Sequence, residues 1–380
     1  MKIGILTQTP SYNFGGTLQC LALQRVLENM GHEVEVISYR SNNRGRRLAK
    51  VKLLFAGVKL SEILSTFADK IRNSVNSKTH RTRPLPPEMI NKNLSFIEKY
   101  INLTESCDED SIGELVQKHQ YDAIVFGSDK IWGDLGMSQL VYFGDWCPTP
   151  KCKLFSYAAC SGKLSIPSFN RRKIENCLKR FDKISVRDEQ TRDLFSSLYN
   201  TEISIVSDPT LLYDFNEFKN GEIIDSPYIL TYILGREIKG GHKEMINQIR
   251  KKNPSCIIVS IVITTESTDI VRYSDKVIYD ASPDEWVSLF FHASFIYTDS
   301  YHGTLFALKF RKTFVSYYKE LLRSSRLIDI KRCFSLHNVI NDVCEYTDDD
   351  VTNYVDIENK IDELNKISLA YLKDVLIMGR

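Results

Sequence analysis

The chain of 380 residues exceeds one ordinary domain, so two packed domains, each burying its own core, are expected. A hydrophobic fraction of 43% and a charged fraction of 26% exclude a mainly disordered or collagen-like polymer. The 50 Lys and Arg nearly cancel the 48 Asp and Glu, so there is no global field to draw in a nucleic acid, and none is expected as a partner. Nine cysteines are scattered without a CxxC pair or zinc-like spacing, which fits free thiols in a reducing cytosol and indicates no metal site. No apolar run reaches the roughly 20 residues of a membrane span, and Met1 leads into KIGILTQT instead of a secretory leader.

Residues 2–7 read as a strand, 8–16 as a glycine-bearing loop, 17–30 as an amphipathic helix ending at Gly31, and 34–39 as a second strand. Such a βαβ unit predicts a parallel sheet whose ligand crevice lies at the carboxyl ends of its strands. From Arg40 to Arg83, twelve Lys and Arg face only Glu62 and Asp69. The segment is expected either as a solvated insertion or as a basic helix on an anionic membrane surface. RPLPP at 83–87 closes it.

Alternation resumes with strands at 121–129, 153–160, 183–188 and 203–208 and helices near 167–181 and 189–198. Residues 206–226 read as an interdomain connection. Beyond it the same logic repeats, from a strand at 228–234 to a helix starting at Ser325, with a last amphipathic helix over about 357–377. The expected fold class is therefore α/β, two Rossmann-like domains with parallel sheets and a cleft between them. The first spans 1–215, with a basic helical insertion at about 40–90, and the second spans 216–380, its last helix packing back across the interface.

Five places could carry chemistry. In PSYNFGGTLQC, Gly15 and Gly16 can bring bare amides to an anion at a helix start, with Asn13 and Thr17 as polar neighbours; a tight turn is the plain alternative. In FGSDKIW, Ser128 and Asp129 follow a buried strand at the same sheet edge, where Asp129 can orient hydroxyls or act as a base, or simply cap the next turn. KISVRDEQT offers Arg187, a two-pronged donor for carboxylate or phosphate, unless it pairs with its own acidic neighbours. In YTDSYHGTLFALKF, Ser300, His302, Gly303 and Thr304 sit at a strand-to-helix switch, where an imidazole can exchange protons near neutral pH beside a helix N-terminus that favours anions. Lys319, Arg323 and Arg326 follow on the same edge as cations for an anionic donor, or as solvated helix-end charges.

The ordered set NFGGTLQCLALQRVLENMGHEVEVI, VFGSDKIW, SYAACSG, KISVRDEQT, VSDPTLL, TDSYHGTLFALKFRKTFV and SSRL resembles the polysaccharide pyruvyl transferase family over nearly the whole chain. The resemblance implies a GT-B-like pair of Rossmann domains. It also implies transfer of pyruvate from phosphoenolpyruvate to a sugar of a surface polysaccharide or its lipid-linked precursor, forming a ketal without a cofactor. By position His302 and Asp129 become the catalytic residues. Arg187, Arg326, Gly15, Gly16, Ser300, Gly303 and Thr304 become donor-binding, and Asn13 and Ser128 acceptor-binding. Some members carry an arginine where Ser300 stands here, so either Arg326 or Lys319 replaces it or the donor differs. A nucleotide-sugar glycosyltransferase and a non-catalytic membrane-associated assembly factor are the rival readings. The implied location is cytoplasmic, with a peripheral position on the inner face of the cell membrane.

Overall fold

The computed structural model describes residues 1–8, 10–42, 85–137, 139–147, 149–199, 201–235, 237–263, 268–319, 325–347 and 353–377. Most of the basic stretch expected between 40 and 83, and Arg323, lie outside these residues.

The first half begins with β1 (Lys2–Leu6), α1 (Phe14–Asn29) and β2 (Glu33–Val36). Helices α2 (Pro87–Tyr100) and α3 (Ile112–His119) precede β3 (Ala123–Phe126), β4 (Lys153–Ser156) and α4 (Ser168–Leu178). Then follow β5 (Ile184–Val186), α5 (Glu189–Ser196), β6 (Ile203–Ile205) and the single turn α6 (Pro209–Leu212). The sheet is parallel in the order β2-β1-β3-β4. Parallel bridges from Phe155 to Lys183 and from Ala159 to Val186 carry it on toward β5, which pairs with β6. On the other edge, bridges from Val36 to Leu103 and from Tyr39 to Cys107 add the segment before α3.

The second half holds β7 (Tyr228–Tyr232), α7 (His242–Lys252), β8 (Ile257–Ile261), β9 (Lys276–Ile278), α8 (Pro283–His292) and β10 (Phe295–Thr298). It continues with α9 (Tyr301–Lys309), β11 (Thr313–Tyr317), α10 (Ser325–Cys333), β12 (Val339–Ile340) and α11 (Tyr354–Ile377). Its parallel sheet runs β12-β11-β10-β7-β8-β9. Strand order reverses between β7 and β10 here, and between β1 and β3 in the first sheet, so each sheet opens a crevice at the carboxyl ends of those strands.

The sheet strands read as almost unbroken apolar runs because both faces are covered; β3 and β10 are buried at every position. The two halves share one core. Phe14 at the start of α1 packs against Tyr232 of β7 and Trp286 of α8, with ring centroids 6.3 and 6.1 Å apart, and Phe215 meets Phe306 of α9 at 5.1 Å. The apolar cluster containing them runs without a break from Ile3 and Leu18 to Phe290 and Phe314.

Helix α11 straps the halves together. Near its start Tyr354 donates to the Lys312 carbonyl and Glu358 pairs with Arg311. Toward its end Tyr371 donates to the Ser156 carbonyl at 2.8 Å, and the ammonium of Lys153 on β4 caps the Val375 and Leu376 carbonyls at 3.0 Å each. A cationic cap on free helix-end carbonyls satisfies acceptors that would otherwise be stranded against the sheet.

A shared apolar core predicts one cooperative unfolding transition instead of two. Phe14→Ala is expected to lower the stability of the whole chain by about 3–5 kcal/mol. Calorimetric scanning checks both; two resolved transitions, with only the first shifted by the substitution, would contradict the shared core.

Candidate active site

Helix α1 starts earlier than its sequence pattern suggests, because exposed Asn13 caps it and accepts from the Gly16 amide at 3.3 Å. Gly15 and Gly16 therefore lie in the first helical turn, not in an open loop. The Gly16 amide is already taken by Asn13. Gly15 has another role: a Cβ there would stand 2.1 Å from Nδ1 of His302, so only glycine lets α1 approach the imidazole.

The carboxyl ends of β3, β5 and β6 deliver a buried charge cluster. Arg187, directly after β5, donates to Asp208 Oδ2 at 2.7 Å and lies 3.5 Å from Asp129 Oδ1, with its side chain 2% exposed. Asp208 caps α6 by accepting from the Thr210 amide and hydroxyl at 3.0 and 2.8 Å. Ser128 is fully buried and donates to the same carboxylate at 3.3 Å, an inward role in place of the expected acceptor contact. Asp129 takes φ 71°, ψ −172°, a conformation normally left to glycine that costs about 1–3 kcal/mol. Its carbonyl is fixed by the amides of Ile131 at 2.8 Å and Cys160 at 3.0 Å.

The second half supplies the other wall. Ser300 caps α9 through the Gly303 amide at 3.2 Å, and its carbonyl accepts from Thr304 Oγ1 at 2.9 Å. Thr304 also bonds Ser316 at 2.6 Å, and a Cβ at Gly303 would stand 2.7 Å from Thr298 Oγ1. The Ser300 hydroxyl, the Gly303 amide and the Thr304 hydroxyl are thus engaged in starting the helix. That start sets Tyr301 and His302 against the first half. The guanidinium carbons of Arg187 and Arg326 lie 4.3 and 5.3 Å from the Tyr301 ring centre. Nε2 of His302 stands 3.6 Å from Asp208 Oδ2, beyond hydrogen-bond length, and is a buried nitrogen without a hydrogen-bond partner.

Arg326, at the start of α10, reaches within 3.6 Å of Asp129 Oδ1, whereas exposed Lys319 donates to the Glu237 carbonyl at 3.2 Å. Arg326 is the cation that joins the cluster. Sequence reasoning gave no site role to Tyr301 or Asp208. The signal for Asp208 was the Asp-Pro step after a strand, which marks a helix cap at the ligand edge; Tyr301 had no signal beyond its place beside His302.

Burial alone would raise the Asp129 carboxyl, but the charges of Arg187, His302 and Arg326 hold it below the ordinary range. The same contest holds Asp208 below the ordinary range: burial opposes ionisation, and His302, Arg187 and the Thr210 amide overcome it. Burial likewise works against the charge of Arg187, and Tyr301, Cys160, Asp208 and Asp129 outweigh it. Among the described residues no cluster of three His, Cys, Asp or Glu could hold a metal.

A pair of parallel α/β halves that meet over a buried, histidine-bearing seam of paired charges defines a GT-B-like protein. The fold comparisons agree. The structure resembles a UDP-GlcNAc 2-epimerase from Methanocaldococcus jannaschii over 100% of both chains, with TM-score 0.55 and 12% identity. It resembles the Neisseria meningitidis UDP-GlcNAc 2-epimerase bound to UDP-GlcNAc over 100% of both chains, with TM-score 0.52 and 11% identity. Arabidopsis thaliana UGT89C1 complexed with UDP-L-rhamnose gives TM-score 0.50 and 11% identity over 97% of each chain. A search of curated proteins finds no match. The profile of the family described as polysaccharide pyruvyl transferase matches residues 13–318, and the chain belongs to that family.

Because both carboxyls titrate below their unfolded value of about 3.9, their stabilisation is complete above that pH and drains away as pH falls through the depressed folded values. Asp208→Asn, which leaves Arg187 with only the weaker Asp129 contact, is expected to cost about 3–5 kcal/mol at neutral pH. Urea titration of both proteins should show the gap narrowing below about pH 4. A gap that stays constant into acid would remove the ionised Asp208 from the account. Gly15→Ala is expected to displace the imidazole at a cost of about 1–3 kcal/mol, visible as a shifted His302 ring resonance; an unmoved resonance would contradict the close approach.

Proposed function

We propose that this transferase moves the pyruvyl group of phosphoenolpyruvate onto a sugar of a polysaccharide or of its lipid-linked precursor, closing a ketal across two hydroxyls. The observation that carries the reading is the buried Nε2 of His302, which makes no hydrogen bond and faces the carboxylate of the Arg187–Asp208 pair at 3.6 Å. A buried polar nitrogen without a hydrogen bond is costly in a resting protein and useful where a ligand completes it.

The donor carries up to three negative charges and needs guanidinium contacts more than metal-like ligands. The reaction begins when a proton reaches the donor's methylene carbon, which makes C2 electrophilic, and a sugar hydroxyl adds there and loses its proton. The C2–O bond to phosphate then breaks, phosphate leaves with the bonding pair, and the second hydroxyl takes its place on C2. The net change is phosphoenolpyruvate plus diol to ketal plus inorganic phosphate, with no oxidant and no water consumed. His302 gives and takes the protons. Arg326 faces the anion with its half-exposed guanidinium, and Arg187 acts behind it through Tyr301, Asp129 and Asp208. Asp129, with both arginines beside it, is a positioning residue for them in this scheme rather than a general base.

The test is incubation with phosphoenolpyruvate and a panel of lipid-linked and synthetic glycosides, followed by mass spectrometry and phosphate release. The expected product is heavier by one pyruvate less one water. His302→Gln, folded by melting temperature, is expected to lose turnover by about 100-fold or more. A wild-type product heavier by one hexose residue from a nucleotide sugar would replace this reading with a glycosyltransferase, and unchanged turnover in His302→Gln would remove the histidine from the chemistry.

A further inference from the structure

The two arginines of the seam are matched one for one by carboxylates. Arg187 faces Asp208 at 2.7 Å and Asp129 at 3.5 Å, and Arg326 faces Asp129 at 3.6 Å. Before His302 is protonated, these four groups carry no net charge, which is a poor host for a ligand with up to three negative charges. A further cation is needed, and the FGSDKIW motif holds one. Lys130 follows the strained Asp129 and opens a short helical turn, Lys130–Trp132. Its stem lies along Gly162, where a Cβ would stand 3.3 Å from Cε and 3.7 Å from Nζ. Gly162 has φ 61°, so the backbone favours a residue without a side chain at the point where the lysine passes.

The ammonium has no hydrogen-bond or ion-pair partner among the described residues, although Asp129 is its chain neighbour and Asp129 already serves both arginines. It is also half-buried and within electrostatic reach of Arg326 and Arg187. A lysine beside the seam that makes no hydrogen bond or ion pair of its own, with Asp129 already shared by two arginines, leaves positive charge that an anionic ligand would neutralise. The exposed alternative, Lys319, is committed to the Glu237 carbonyl instead.

We propose that Lys130 is a donor-binding residue of this cleft, its ammonium contacting the phosphate of the phosphorylated donor and supplying the positive charge that Asp129 and Asp208 take away from the arginines. The inference rests on the pyruvyl-donor reading for the identity of the donor, and on the seam geometry for the need of a phosphate-binding cation. It assigns Lys130 to binding, with proton transfer left to His302. Burial first, and then Arg326 and Arg187 against the opposing Cys160 and Asp129, already lowers the proton affinity of this ammonium. The apparent KM for an anionic donor should accordingly climb as pH rises toward the ordinary lysine range.

The experiment compares wild type, Lys130→Gln and Lys130→Arg by calorimetric titration with phosphoenolpyruvate and, separately, with UDP-GlcNAc, alongside kinetics and melting temperatures. In Lys130→Gln, phosphoenolpyruvate affinity is expected to fall about 10- to 100-fold, the loss of one charge-assisted hydrogen bond. The KM should rise in parallel while kcat changes little, the alkaline climb in KM should vanish, and Lys130→Arg should restore most of the affinity. If wild type ignores phosphoenolpyruvate but binds UDP-GlcNAc in a Lys130-dependent way, the phosphate-binding role stands and the pyruvyl-donor reading falls. If Lys130→Gln binds phosphoenolpyruvate as tightly as wild type at an unchanged melting temperature, the inference on Lys130 falls and the donor reading survives. A wild type that binds neither ligand overturns both.

Discussion

The contact on which this structure turns is the buried pair between Arg187 and Asp208, with Asp129 and Arg326 extending it and His302 laid against it from the other half. An ion pair with 2% and 1% of its side chains exposed gives little net stability over an apolar substitute, because both charges have lost their water. Its value lies in geometry. Each partner is fixed by a second contact, Asp208 by the Thr210 amide and hydroxyl and Arg187 by the Tyr301 ring, so the charges cannot relax toward solvent. A site held this way is organised before any ligand arrives, and that spares the reorganisation that a flexible site in water would require.

Everything else in the fold serves to keep that seam closed. The aromatic cluster of Phe14, Tyr232, Trp286, Phe215 and Phe306 makes the boundary between the sheets an apolar core, and α11 ties the outer edges through Lys153, Tyr371 and Arg311. Interfaces of that kind resist the hinge motion that polar domain boundaries allow. The same packing explains Gly15: the helix that builds the core also has to pass within contact of the imidazole, and a side chain at that position would separate the two.

Much of this was legible in the residues. Strand-length apolar runs at 123–126, 228–232 and 295–298 mark parallel strands buried on both faces, and polar or charged side chains directly after them mark the ligand edge. His302 and Arg187 stand out for that reason, and so does Arg326 beside a helix start. What the pattern could not carry is direction. Ser300 and Thr304 sit beside His302 in the chain, yet a helix cap turns their hydroxyls inward. Asn13 and Gly16 likewise satisfy each other. Asp208 and Tyr301 are the opposite case: an Asp-Pro step and a lone tyrosine carry no chemical signature until the sheets bring them to Arg187. Helices at 87–100 and 112–119 were also not foreseen, because polar residues on their exposed faces and a preceding run of prolines resemble a loop.

The central claim is that the seam between the halves, and not a crevice of either sheet alone, receives the anionic donor. A crystal structure determined after soaking with phosphoenolpyruvate tests it most directly. The account predicts the ligand at the seam, with a carboxylate or phosphate oxygen within hydrogen-bond distance of His302 Nε2 and of the Arg326 guanidinium. Ligand found instead along the β7–α7 edge beside Gly240 and Gly241, with His302 untouched, would contradict it.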